Sequence, residues 1–182
     1  MDADPSTTPS TRFARSEFAR DDKYNNMQKP TLKIIKYPDD FLRRKTREVK
    51  VEELKSLKVQ RLVFDMAKAM EVEKGVGLAA PQVGSDLRIC VIRIDGESFA
   101  LINPKIKSSS RKKDIFEEGC LSFPGEFFPV ERPIKVKVQA RDVEGKKIKI
   151  KADGLLARVL QHEIDHLEGI LVIDRAVKGK LE

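Results

Sequence analysis

Long apolar runs, cysteines and histidines are all scarce in this chain of 182 residues. No stretch of roughly eighteen apolar residues occurs, so no membrane-spanning helix is expected. The opening MDADPSTTPS has no basic segment leading into an apolar one, which argues against a secretory signal. Two cysteines, Cys90 and Cys120, cannot make a disulfide framework. These absences predict a cytoplasmic protein, with an organelle interior as the lesser expectation. Only two histidines are present, His162 and His166, in QHEIDHLEG. Any chemistry that needs imidazole must use that stretch.

Hydrophobic residues make up 40% of the chain, enough for the core of one domain. The formal charge is +7. It fits a lysine-rich solvent surface, or a role near nucleic acid that includes ribosomal RNA. Basic residues are spread over 43–61, 105–113 and 135–151. Acids interrupt them and no zinc-finger or RNA-binding signature accompanies them, so no DNA partner is expected. Residues 1–26 are poor in large aliphatics and read as a flexible tail. Five acids offset four bases there, a poor pattern for an organelle-targeting peptide. Residues 27–182, opening on Met27, read as a single catalytic domain.

Within that domain, LKIIKY at 32–37 suggests a short edge segment. Residues 51–72 predict a helix, with Val59, Val63, Met66 and Met70 at helical spacing and Leu62 and Ala69 widening the stripe. A glycine-rich turn, GVGLAAPQVG, follows at 75–84. Strand patterns occur at 88–94, 99–102, 134–140 and 147–151, the last two joined by the hairpin turn RDVEGK. Asp153 is placed to cap a helix through LLARVLQHEIDHL, and Gly169 to end it. The order predicts an α+β fold: antiparallel or mixed sheets packed around a C-terminal metal-binding helix, with an additional N-terminal helix.

Residues i and i+4 share a helix face, so His162 and His166 can offer two imidazoles to one ion. Glu163, on the same turn, can hold water at the ion and take its proton. The bland alternative is an ordinary histidine pair on an apolar-striped helix. A catalytic site needs about three protein ligands and an open position. A protease of the HExxH type takes its third ligand downstream, where this chain has no histidine. Glu168 points to another side of the helix, and Asp174 lies in the structural-looking ILVID. Cys120, in EEGCLSFPG, is the better candidate, because a thiolate suits a borderline divalent ion and Gly119 permits a tight backbone path. Cys90, inside RICVIRI, reads as a buried, inert thiol. On preference rules alone, one cysteine and two histidines suit zinc.

Three blocks in order, GVGLAAPQ at 75–82, EGCLS at 118–122 and QHEIDH at 161–166, resemble the peptide deformylase family. The resemblance extends over most of 31–175. It implies a metal-dependent hydrolase that removes the formyl group from the N-terminal methionine of newly synthesised polypeptides and releases formate. It implies one divalent ion, Fe2+ by preference, with Zn2+, Ni2+ or Co2+ as substitutes, held by Cys120, His162 and His166. Glu163 is then the catalytic carboxylate, and the Gln82 amide and the Leu121 backbone N–H hold the formyl oxygen. By family position the methionine pocket involves Glu118, Gly119, Leu155 and Arg158. A site for so small an acyl group needs tight walls at the formyl carbon, for which Val76 and Leu78 are candidates, and Gly77 is a further substrate-binding candidate.

Arg158 stands where an aliphatic residue is common, and its stem is expected to cover the side chain while its charge reaches solvent. Arg132 and Asp165 are candidates for contacts that support the ligands. Eight residues follow Asp174, where some relatives carry a long helix. This basic end, or the basic surface at large, is a candidate ribosome contact. A general metallopeptidase and a non-catalytic metal-binding protein of the same fold are the alternatives.

Overall fold

The computed structural model describes residues 32–177. The expected tail at 1–26 lies outside them, as do the boundary at residue 27 and the last five residues. Among these residues there are four α-helices, α1 (Val51–Leu54), α2 (Leu57–Val72), α3 (Gly154–Leu167) and α4 (Val172–Arg175), together with seven strands. Strands β1 (Gly77–Ala79), β2 (Ile89–Ile94), β3 (Glu97–Ser109), β6 (Lys135–Arg141) and β7 (Lys147–Asp153) make one antiparallel sheet in the order β1-β2-β3-β6-β7. A separate hairpin pairs β4 (Lys113–Cys120) with β5 (Phe123–Pro133). The fold is α+β with antiparallel sheets, as its composition of elements predicts.

Alternation builds the large sheet. Val136, Val138 and Ala140 of β6, with Ile150 and Ala152 of β7, are buried, while the lysines between them are exposed. Their apolar face meets Ala157, Leu160, Ile164 and Leu167 of α3. On the other face, α2 packs Val59, Val63, Met66 and Met70 against Leu78, Ile89, Val91 and Ile102. A third cluster of Leu42, Phe123, Val130, Leu171 and Val172 fastens the β4–β5 hairpin to the chain after α3. Burying each of these large side chains contributes about 1.5–3 kcal/mol.

Local departures have physical reasons. The helix expected over 51–72 breaks at Lys55–Ser56, where Ser56 turns extended and its hydroxyl caps α2 by accepting from Val59 N at 3.3 Å. Residues 32–37 form no strand, and Tyr37 already lies in a turn; their backbone bonds to Gln82 O through Ile35 N (2.7 Å) and to Ser122 O through Tyr37 N (3.0 Å). The glycine-rich stretch is more than a turn, since it holds β1 and a 3-10 helix over Ala80–Val83. Asp153 occupies the N-cap position of α3 but makes no capping bond with its side chain. Gly169 does end the helix region at φ +76°, where a Cβ would lie 2.2 Å from Arg43 O.

Candidate active site

Three segments meet at one end of α3: β1 with the 3-10 helix, the end of β4, and the second half of α3 itself. Cys120 is the last residue of β4. A register shift at Gly119/Cys120 ends that ladder beside α3. Gly119 has no special backbone there; a Cβ would meet the Phe127 ring at 3.1 Å. Cys120 Sγ lies 3.3 Å from His166 Nε2 although the two residues are 46 apart in sequence. The ligating atoms of Cys120, His162 and His166 all lie within 4.8 Å of one another.

That spacing fits a small divalent ion, because bonds of about 2.0–2.3 Å place tetrahedral neighbours roughly 3.3–3.8 Å apart. The ring orientations fit as well. His162 Nδ1 is 2.9 Å from Glu118 Oε2, which leaves Nε2 for a ligand, and a ligating histidine commonly donates its other N–H to a carboxylate. Burial opposes a charge on His162, but Cys120 and Glu118 outweigh it and push the imidazole up to about 10. His166 is driven well below its ordinary range by burial and by His162.

Glu118 is the hub behind His162. Arg132 donates to both of its oxygens, at 2.6 and 2.9 Å, and Arg158 Nη1 donates at 2.8 Å. Burial acts to raise the Glu118 carboxyl, but the His162 and Arg132 bonds prevail and hold it at about 2. Arg132 also reaches Asp165 at 2.7 Å, and Arg175 closes on Asp165 at 2.8 Å, so Asp165 is a bridging acid and not a solvated one. Because the folded Glu118 titrates below its ordinary 4.5, its stabilisation is complete above that value and is lost as pH falls towards 2. Melting temperature measured against pH is expected to fall more steeply over this window in the native chain than in Glu118→Gln. Parallel curves would refute the hub.

Arg158 departs from expectation. Its guanidinium does not reach solvent; it binds Glu118, Asp114 and the Val130 carbonyl, and the residue is 8% exposed. A buried carboxylate attracts the cation more strongly than hydration releases it into water. Leu78 also differs: it is fully buried in the α2 cluster and forms no wall of the site.

Glu163 is buried at 3% exposure, and its Oε2 has no hydrogen-bond partner among the described residues. Burial, with a smaller push from Glu118, raises its carboxyl to about 7 against the opposing effect of His162. A carboxyl near neutrality both accepts and returns a proton. Gly77 makes its room: a Cβ there would lie 2.2 Å from Glu163 Oε1. Gly77→Ala is expected to displace Glu163 and lower kcat by about tenfold to a hundredfold, since misplacement by about 1 Å is that costly. Unchanged turnover would refute the contact.

Gln82 is 1% exposed. Its Oε1 accepts from Ala79 N at 2.9 Å, which turns the amide nitrogen to Cys120 Sγ (3.5 Å) and Ser122 Oγ (3.1 Å). Ser122 was missed in the sequence although it closes the EGCLS block; Lys36, which donates to Leu121 O at 2.6 Å, carried no signal. A cavity of about 530 Å³ opens onto the cluster, with Val76, Gly77, Gly119, Leu121, Leu155 and Arg158 among its walls. Cys90 is fully buried and burial pushes its thiol up, in keeping with an inert role.

A cysteine and two histidines spaced to hold one ion, with a buried glutamate alongside, define a metallohydrolase site on an α+β frame. Comparison with known proteins narrows the class. The sequence matches the polypeptide deformylase family over residues 31–182. It is 44% identical over 160 residues to the chloroplastic peptide deformylase 1B of rice (Oryza sativa), covering 84% of this chain and 58% of that protein. It is 46% identical over 149 residues to the peptide deformylase of Dictyoglomus thermophilum, covering 82% of this chain and 95% of the relative. The crystal structure of a Synechococcus elongatus peptide deformylase in complex with actinonin superposes with TM-score 0.77 at 38% identity, covering 84% of this chain and 82% of that one.

This chain belongs to the polypeptide deformylase family, hydrolases whose known activity is deformylation of N-terminal formylmethionine. Membership sets aside the general metallopeptidase and the non-catalytic protein. No helix among the described residues is long and apolar enough to cross a membrane. Relatives named for the chloroplast, or for chloroplast and mitochondrion, remove the preference against an organelle.

Proposed function

We propose that this chain removes the formyl group from the N-terminal methionine of newly synthesised polypeptides, using one divalent ion held by Cys120 Sγ and the Nε2 atoms of His162 and His166. Fe2+ is the ion that the family resemblance favours, with Zn2+, Ni2+ or Co2+ as substitutes. The observation that carries the reading is the convergence of three ligating atoms within 4.8 Å beside the buried Glu163. When bound, the ion supplies Lewis acidity and lowers the pKa of water.

The chain's own groups do the rest. Glu163 takes one proton from the attacking water, whose oxygen bonds to the formyl carbon. The Gln82 amide and the Leu121 N–H donate to the formyl oxygen as negative charge gathers there. The C–N bond then breaks, Glu163 returns the proton to the leaving amine, and formate departs. Glu118, Arg132 and Asp165 keep His162 oriented. Val76, Gly77, Gly119 and Leu155, with the aliphatic stem of Arg158, receive the methionine side chain. Val76 and Leu155 are 48% and 60% exposed, and a substrate side chain would cover such apolar rims.

Protein purified without oxygen, with its metal content analysed, is expected to release formate from a formyl-methionyl peptide and to leave the acetylated peptide intact. No formate from the metal-loaded protein would sink the assignment.

A further inference from the structure

The two faces of the five-stranded sheet are covered unequally. Helix α3 packs across one of them, while on the other α2 packs on residues of β1, β2 and β3 only. On the β6–β7 half of that second face Lys137, Lys147, Lys149 and Lys151 are exposed and Gln139 and Arg141 half-buried, with Leu54 of α1 reaching only the turn at Gly145. The register sets Lys137 directly opposite Lys151 and Arg141 opposite Lys147, with Gln139 opposite Lys149 between them. Side chains directly opposite in an antiparallel pair share a face about 4.5–5.5 Å apart, and like charges there are destabilising.

Little on the protein offsets this. Lys137, Lys147, Lys149 and Lys151 are exposed and have no ion-pair partner among the described residues. Arg141 donates to Gly145 O at 2.6 Å, a neutral acceptor. Asp153, opposite Lys135, is the one acid in this ladder, and Glu48 engages Lys105 at its β3 border. The β4–β5 hairpin differs, because there Lys113 meets Glu131 across the strands at 2.8 Å.

We propose that the open β6–β7 face docks on the phosphate backbone of folded RNA through Lys137, Lys149 and Lys151, flanked by Lys147 and Arg141. The choice of polyanion rests on the proposed function: a formylated chain end is met where chains are made, on an RNA-built particle. The ladder carries no aromatic or apolar side chain on this face, so it can neither stack on bases nor insert into a bilayer. Phosphate contact without sequence preference is what remains. The face lies across the sheet from α3, so docking leaves the cavity mouth at Val76 and Leu155 free for a peptide.

The test uses the full, metal-loaded chain, an RNA hairpin of arbitrary sequence and vesicles containing phosphatidylserine. The triple variant Lys137→Glu, Lys149→Glu, Lys151→Glu is expected to bind RNA at least about tenfold more weakly at about 0.1 M salt, and to flatten the log–log salt dependence by about 2–3. Its melting temperature should change little, since a Glu–Glu pair replaces the Lys137–Lys151 pair, and its turnover of a formyl-methionyl tripeptide should not change. Lys151→Glu alone, which makes an opposite pair with Lys137, gives a second reading if the triple variant does not fold.

RNA affinity and salt dependence unchanged in these variants would overturn the proposal. So would an equal loss on reversing Lys33, Lys68 and Lys112 elsewhere, or a preference for the vesicles through the same lysines. Failure of the native chain to deformylate would sink the catalytic reading alone, because the RNA comparison is decided separately.

Discussion

Glu163→Gln is expected to lower kcat by about 10²–10⁴ while the protein keeps its metal, the usual range for a positioned proton-transfer group. The amide keeps the shape and the room beneath Gly77 but cannot accept the proton. Glu163 is suited to that step by its burial and by a carboxyl raised to about 7, close to the pH at which it must both take and give. Steady-state kinetics paired with elemental analysis checks the expectation. Metal loss matching the activity loss would mean that Glu163 is a ligand and not a base.

Cys120→Ser is expected to act the other way, by emptying the site. A serine hydroxyl at the end of β4 is a harder, shorter and far less acidic donor than a thiol, and a borderline ion favours sulfur. Affinity should fall by more than the roughly 100-fold that loss of a supporting contact costs. Activity should vanish in metal-depleted buffer and return in part with excess Zn2+ or Co2+. The Gln82 amide, which sits 3.5 Å from Sγ, would stay in place through Ala79 and Ser122. A variant that holds its ion as tightly as the native chain would remove Cys120 from the ligand set.

The parts of the fold that could be read from the sequence are those where burial alternates with exposure. Val136, Val138, Ile150 and the α2 stripe announce themselves in this way. The β4–β5 hairpin does not, because only Glu118 and Cys120 escape full exposure along β4, and one of them is charged. Prolines in FPGEFFPVERP further hide β5. The same inversion explains Arg158: a charged residue reads as outward-facing unless its partners, Glu118 and Asp114, are known to converge on it from a strand 40 or more positions earlier. Of the site, the i, i+4 histidines and Glu163 were legible from helical spacing. Cys120 needed the absence of a downstream ligand, and Gln82 and Leu121 needed the family resemblance, since neither residue type signals chemistry by itself.

The distance in sequence between the proposed ligands has a consequence for the birth of the protein. Cys120 and His166 stand 46 positions apart, and the half of α3 that carries both histidines is reached only after all seven strands. A chain still being translated can complete its sheets yet own a single thiol at the future centre. The three proposed ligands are therefore complete only once the α3 segment has emerged and docked. A product truncated before that segment would lack both histidines of the proposed ligand set and, with them, the site's water-activating carboxylate.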